Sequence, residues 1–289
     1  MLPQATSDLY DATRRRGAAT ALLVRSEWEK IDPAGDWWGQ WLRLLPRAAL
    51  IVGSSRVGAA TDGVASVPAA LEEFGSPSVP VKINPKAFAG WAGSGVPLAD
   101  YLSSPVRVAR DSPGSEVERL AAGRSWLEGL TRTAVSDAAR GGSSVAIAAT
   151  PRMGYTRYES APYCQRCAPL VGKWFRWNQG FQRHPRCDAV HVPAAQDSPP
   201  EKRYTTDIDA SMIRDLTEAQ RKAIEEGADL YRVLNAYRGT NSGSQRTSMF
   251  TTREASRGAL RPTPEGIYAR AGDDREKALA LLRQHGYLR

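Results

Sequence analysis

The chemistry-bearing residues of this chain are gathered in one short stretch. All three cysteines (Cys164, Cys167 and Cys187) and two of the three histidines (His184 and His191) fall between Ser160 and Val192 of a 289-residue chain. The spacing is Cys-x2-Cys, sixteen residues, then His-x2-Cys. A Cys-x2-Cys knuckle brings two sulfurs close enough to share an ion, and a later His/Cys pair closes a tetrahedron. Cys164, Cys167, His184 and Cys187 would then hold a structural zinc, with no position left open for water. In isolated zinc-finger peptides such a site is worth about 10–16 kcal/mol of apparent binding energy. Two alternatives stand beside it: a reduced, unliganded pair with a hydrogen-bonded His184, and a disulfide. Elemental analysis separates them.

The residues between the ligands suit a hairpin. Trp174-Phe175-Arg176-Trp177 reads as an aromatic strand, Asn178-Gln179-Gly180 as a turn, and Phe181 as the start of a return toward His184. Five basic residues and no acidic one separate Cys164 from Cys187. Arg176, Arg183 and Arg186, with the aromatics, have the composition of a stacking surface for single strands. The competing reading is a small aromatic core with solvated arginines. Arg14-Arg15-Arg16 is the densest positive cluster, either a solvated helix face or a contact for phosphates or an acidic partner.

The run from Gly154 through Cys164-Gln165-Arg166-Cys167 to Trp174-Phe175-Arg176-Trp177-Asn178-Gln179-Gly180-Phe181-Gln182-Arg183-His184-Pro185-Arg186-Cys187-Asp188 resembles the MuF-type minor capsid (head morphogenesis) proteins of tailed bacteriophages, in their actinobacteriophage form. The likeness is strongest over about forty residues. Those proteins commonly carry a further cysteine where this chain has Ala189, so the ligand set departs from the pattern, and the retained His191 is the alternative fourth ligand. Leu130 to Arg140 resembles the helix before the cysteine strand in that family, and Val233-Leu234-Asn235-Ala236-Tyr237-Arg238-Gly239 a stretch after it. The resemblance implies a structural virion component that docks on the portal or the inner face of the major capsid protein during head assembly and DNA packaging. It implies a location in the capsid interior or at the portal vertex, and in the host cytoplasm during assembly. The rival readings are a capsid maturation protease and a DNA-binding module of the virion.

The elements around the knuckle predict an α+β fold in three parts. Residues 1–112 form a mainly helical region with an extended Pro/Gly-rich arm, 113–196 a MuF-like α+β unit with the Cys/His-pinned hairpin, and 197–289 a linker with a helical tail. Ser7 or Asp8 caps a helix over 7–31 whose apolar face is Leu9, Ala12, Ala19, Leu22, Leu23 and Trp28. Asp36 caps a second, with Trp37 and Trp41 on one face, Pro46 as a kink, and an Ala/Gly/Ser-rich end near Gly63 suited to close helix approach. Residues 75–113 read as the arm, with an edge strand over Val79–Ile83 and helical turns at Ala87–Trp91 and Leu98–Leu102. Ser115 and Glu118 form a capping box for a helix that stops at Gly141-Gly142, and Met153–Glu159 alternates as a strand. Thr217 opens a helix closed by Gly227, 240–260 reads as mobile, Pro264 starts one more helix, and Asp273 caps the last, which ends at His285.

A net charge of +8 favours an acidic partner, though acids are interleaved throughout. No run of eighteen apolar residues exists, so no membrane partner is expected, and the first twenty residues lack the apolar core of a secretory signal. Enzyme chemistry finds little support. There is no Gly-x-Ser-x-Gly elbow, Walker A or dinucleotide fingerprint, and only His191 offers an uncommitted base.

Overall fold

The computed structural model describes residues 1–79, 82–178, 187–236, 250–251, 261–262 and 264–285. It is an α+β protein: helices predominate, with a small antiparallel sheet. The chain divides into two compact units, 1–159 with 174–205, and 160–173 with 206–289. That differs from the three-part division expected from the sequence. The N-terminal helices and the strands that follow share one body, because the helix joining them packs along its length on both.

The first unit is built on four helices: α1 (Gln4–Trp28), α2 (Trp37–Glu73), α3 (Leu98–Asp111) and α4 (Glu116–Ala149). Helix α1 starts after Pro3, before either expected cap. Its buried stripe is Thr6, Leu9, Tyr10, Thr13, Gly17, Thr20, Ala21, Val24 and Trp28, so small and polar residues sit where leucines were expected. Leu22 and Leu23 face solvent instead. Asp36 caps α2 by accepting from the Gly39 amide at 3.0 Å. The helix passes through both Pro46 and Pro68 to Glu73, well beyond the expected end. Trp41 is fully buried and donates its indole N–H to the Leu102 carbonyl at 2.9 Å.

Most of the expected arm is not an arm. Residues 98–111 form α3, whose Leu98, Leu102, Val106 and Ala109 enter the core with Trp28, Trp41, Leu45, Val52 and Leu127. Pro105 sits inside the helix, and the i, i+4, i+8 apolar spacing decides the outcome over proline and serine content. What remains irregular is held down by Arg56. Its guanidinium donates to the Phe88 carbonyl at 2.8 Å and to the carbonyls of Trp91 and Ala134. The edge strand expected over 79–83 falls partly outside the described residues.

The Ser115/Glu118 capping box opens α4 as expected, but the helix runs through Gly141-Gly142 to Ala149. These glycines serve packing. A Cβ at Gly142 would overlap the Ala60 carbonyl, and one at Gly63 the Ala139 carbonyl. Close approach of α2 and α4 is therefore what the small-residue stretch encodes. The sheet has the order β2-β1-β3, with β1 (Met153–Tyr158) between β2 (Trp174–Arg176) and β3 (Val190–Ala195). Both pairings are antiparallel. Met153, Tyr155 and Phe175 pack on Val67, Leu71, Ala146 and Ile147 of α2 and α4. The return expected after Gly180 lies outside the described residues.

The second unit holds the knuckle segment and the C-terminal helices α5 (Glu218–Glu225), α6 (Leu230–Asn235), α7 (Pro264–Ala271) and α8 (Arg275–Gln284), with the short pair β4 (Phe250–Thr251) and β5 (Arg261–Pro262). Thr217 and Gln220 make a capping box on α5. Gly227, at φ +92°, closes that helix by letting Ala228 donate to the Ala223 carbonyl at 2.9 Å. Ala223, Val233, Ala236, Ile267 and Leu282 form its core. Asp274, not Asp273, caps α8, and His285 is its C-cap. The stretch expected to be mobile, 240–260, is described only at Phe250–Thr251. Among the described residues no helix is long and apolar enough to cross a membrane.

Candidate metal centre

In the second unit the knuckle is a tight turn closed on Cys164. Its carbonyl accepts from the amides of Cys167 and Ala168, both at 3.0 Å, and a short 3-10 turn over Ala168–Leu170 follows. The Cys167 amide also lies 3.3 Å from the Cys164 sulfur. An N–H donated to sulfur is a contact that suits a thiolate, the form that binds metal. Cys167 is buried and Cys164 half-buried. The segment is latched on both sides: Tyr163 donates to Met212 at 2.7 Å and accepts from Arg214 at 2.9 Å. Gln165 donates to the Asp215 carbonyl and accepts from the fully buried Gln220 at 3.0 Å.

In the first unit Cys187 lies between two buried guanidinium groups. Arg157 Nη2 is 3.2 Å from its sulfur and 2.9 Å from Glu159 Oε2. Arg140 Nη1 donates to the carbonyls of Cys187 at 3.1 Å and Ala189 at 2.7 Å, and its Nη2 pairs with Asp137. Arg157 and Glu159 are buried to 1% and 4% exposure, so each charge depends on its partner. Arg157 lies on β1, and Glu159 is the residue just past its end. The Tyr10 hydroxyl donates to Asp188 at 3.0 Å, which Arg14 also approaches at 3.5 Å.

Glu159 and Cys187, in the first unit, and Cys167, in the second, are buried side chains of types that hold a metal ion. Two sulfurs and one carboxylate are a donor set that zinc accepts. Sequence reasoning missed Glu159. Its signal was present, because Glu159 and Asp188 bracket a run of 28 residues without an acid. His184 lies outside the described residues, as do Arg183 and Arg186. His191, the alternative ligand, is on β3 with its Nδ1 3.1 Å from the Ser144 hydroxyl and its ring stacked on Tyr155 at 4.0 Å.

The basic residues separate. Arg16 pairs with Asp62 at 2.6 Å, Arg14 reaches Asp188, and Arg15 is exposed. Arg176 is exposed on β2. Of the aromatics, Phe175 stacks on Tyr155 at 5.5 Å and joins the core, whereas Trp177 is 51% exposed. Comparison with protein-family models, curated proteins and solved structures finds no match.

Proposed function

We propose that this chain is a structural minor capsid protein of a tailed phage, docking on the portal or the inner capsid surface during head assembly and DNA packaging. The observation that carries this reading is the long Cys-x2-Cys to His-Pro-Arg-Cys-Asp motif and its likeness to MuF-type proteins. The element order lends support: a long helix, a strand, the cysteine turn and a return to the sheet, in the order the resemblance implies. A rigid helical scaffold with several large apolar side chains in solvent, among them Leu50, Trp91 and Trp126, suits a part that docks on other subunits. The proposed cofactor is zinc, with the sulfurs of Cys164, Cys167 and Cys187 and either His184 or Glu159 as donors. Zinc would act there as a structural clamp, since sulfur-rich sites of this kind leave no position for substrate.

The test is co-expression with portal, scaffolding and major capsid proteins. The chain should copurify with assembled heads, and density for it should sit at the portal vertex or inner shell. Heads that assemble without it, and a chain that binds neither protein, overturn the reading. One observation favours the protease alternative: the Ser144–His191 hydrogen bond pairs a hydroxyl with a base. Ser144 sits within α4, not on the sharp strand-to-helix turn that exposes a nucleophile. Loss of capsid-protein cleavage in both Ser144→Ala and His191→Gln would establish that alternative.

A further inference from the structure

Apart from the cysteines, the first unit has a cleft of about 660 Å³ between α1 and α4, reaching down to Cys187 and Asp188. That size falls in the range of small-ligand sites, about 300–1,000 Å³. Thr13 is among the lining residues and is 2% exposed, its hydroxyl sealed from solvent with no hydrogen-bond partner among the described residues. The lining also carries Arg15 on α1 and Arg132 on α4, both exposed and neither in an ion pair among the described residues. Arg14 is different, being directed to Asp188. Two carboxylates, Asp11 and Glu128, complete the lining.

We infer that this cleft binds a mononucleotide, its phosphate held by Arg15 and Arg132 and its sugar or base donors by Asp11 and Glu128. Two guanidinium groups from facing helices match the oxygens of a phosphate, and charge-assisted hydrogen bonds are the strong ones. The two carboxylates decide against a bare phosphate or a long polyanion, because each would repel further negative charge. They favour a ligand that carries hydroxyl or amino donors next to a single phosphate. The inference stands apart from the capsid role and needs neither metal nor partner protein.

The experiment is calorimetric titration of the full chain with AMP, inorganic phosphate and a single-stranded DNA oligonucleotide. AMP should bind at one site per chain and more tightly than inorganic phosphate. Arg15→Gln and Arg132→Gln should each weaken AMP about 10- to 100-fold, as loss of a charge-assisted contact requires. Glu128→Gln should weaken AMP while leaving the response to inorganic phosphate unchanged. Helix content and thermal unfolding of each variant confirm that the fold survives. The inference is overturned if AMP gives no heat at millimolar concentration, or if the arginine variants bind it like the parent. It is equally overturned if phosphate alone binds as well as AMP, or if the oligonucleotide binds and AMP does not.

Discussion

Cys187 draws its surroundings from residues distant in sequence, and each makes a separable contribution. Arg157 serves both the Cys187 sulfur and the Glu159 carboxylate from one nitrogen. Arg157→Met leaves Glu159 without its buried cation and should cost about 3–5 kcal/mol in urea-unfolding experiments. Cys167→Ser and Cys187→Ser should each abolish zinc content measured by elemental analysis of the purified chain. A chelator should lower the unfolding temperature of the parent by about 5–10 °C, since an ion at 100 times its Kd contributes about 2.7 kcal/mol. A stably folded parent that purifies without metal would refute the zinc proposal. Tyr101 gives a pH-dependent prediction. Burial, aided by the Asp137 carboxylate, pushes its phenol up to about 12. A group raised on folding stabilises fully below its unfolded value and loses that contribution as pH climbs through the folded one. Stability should therefore fall between pH 10 and about 12, and Tyr101→Phe should flatten that slope in unfolding curves at pH 9 and 11.

Among the elements, the α2–α4 contact and the anchored segment before α3 are the features most exposed to single substitutions. Gly63→Ala and Gly142→Ala each place a methyl group against a facing backbone carbonyl. Overpacking of this kind costs about 1–3 kcal/mol, measurable as a lower urea midpoint at unchanged slope. Arg56→Leu removes the donors that tie the Phe88 and Trp91 carbonyls to the helices and releases residues 85–97, so limited proteolysis should cut there faster than in the parent. Element ends were legible where a side chain caps them, as at Asp36, Ser115, Thr217 and Gly227. They were illegible where packing overrules composition. Gly141-Gly142 looked like a stop and is a contact, and Pro105 looked like loop and lies inside a helix. Local signals report the cost of helix at those residues but not the tertiary burial that offsets it. At the candidate site the sulfurs were legible from spacing. Arg140, Arg157 and Glu159 were not, because nothing local marks a charged residue as buried.

Across the whole molecule, the arrangement of the first unit decides which fragments can fold. The boundaries expected at 112 and 196 do not coincide with its limits. A fragment of residues 1–112 keeps α1, α2 and α3 but loses Leu127, Ala134 and the rest of the α4 face that completes their core. It should lack a cooperative thermal transition by circular dichroism, whereas a chain cut after residue 205 keeps every helix of that core.

The first unit also takes its last piece from beyond the knuckle segment, at residues 174–205. A ribosome elongating at about 5–20 residues per second needs roughly 2–7 s to run from the end of β1 to the end of β3. For that interval the side chains due to meet β3 stay uncovered on the nascent polypeptide. The gene order thus builds in a waiting period, during which chaperones would have their opportunity to engage.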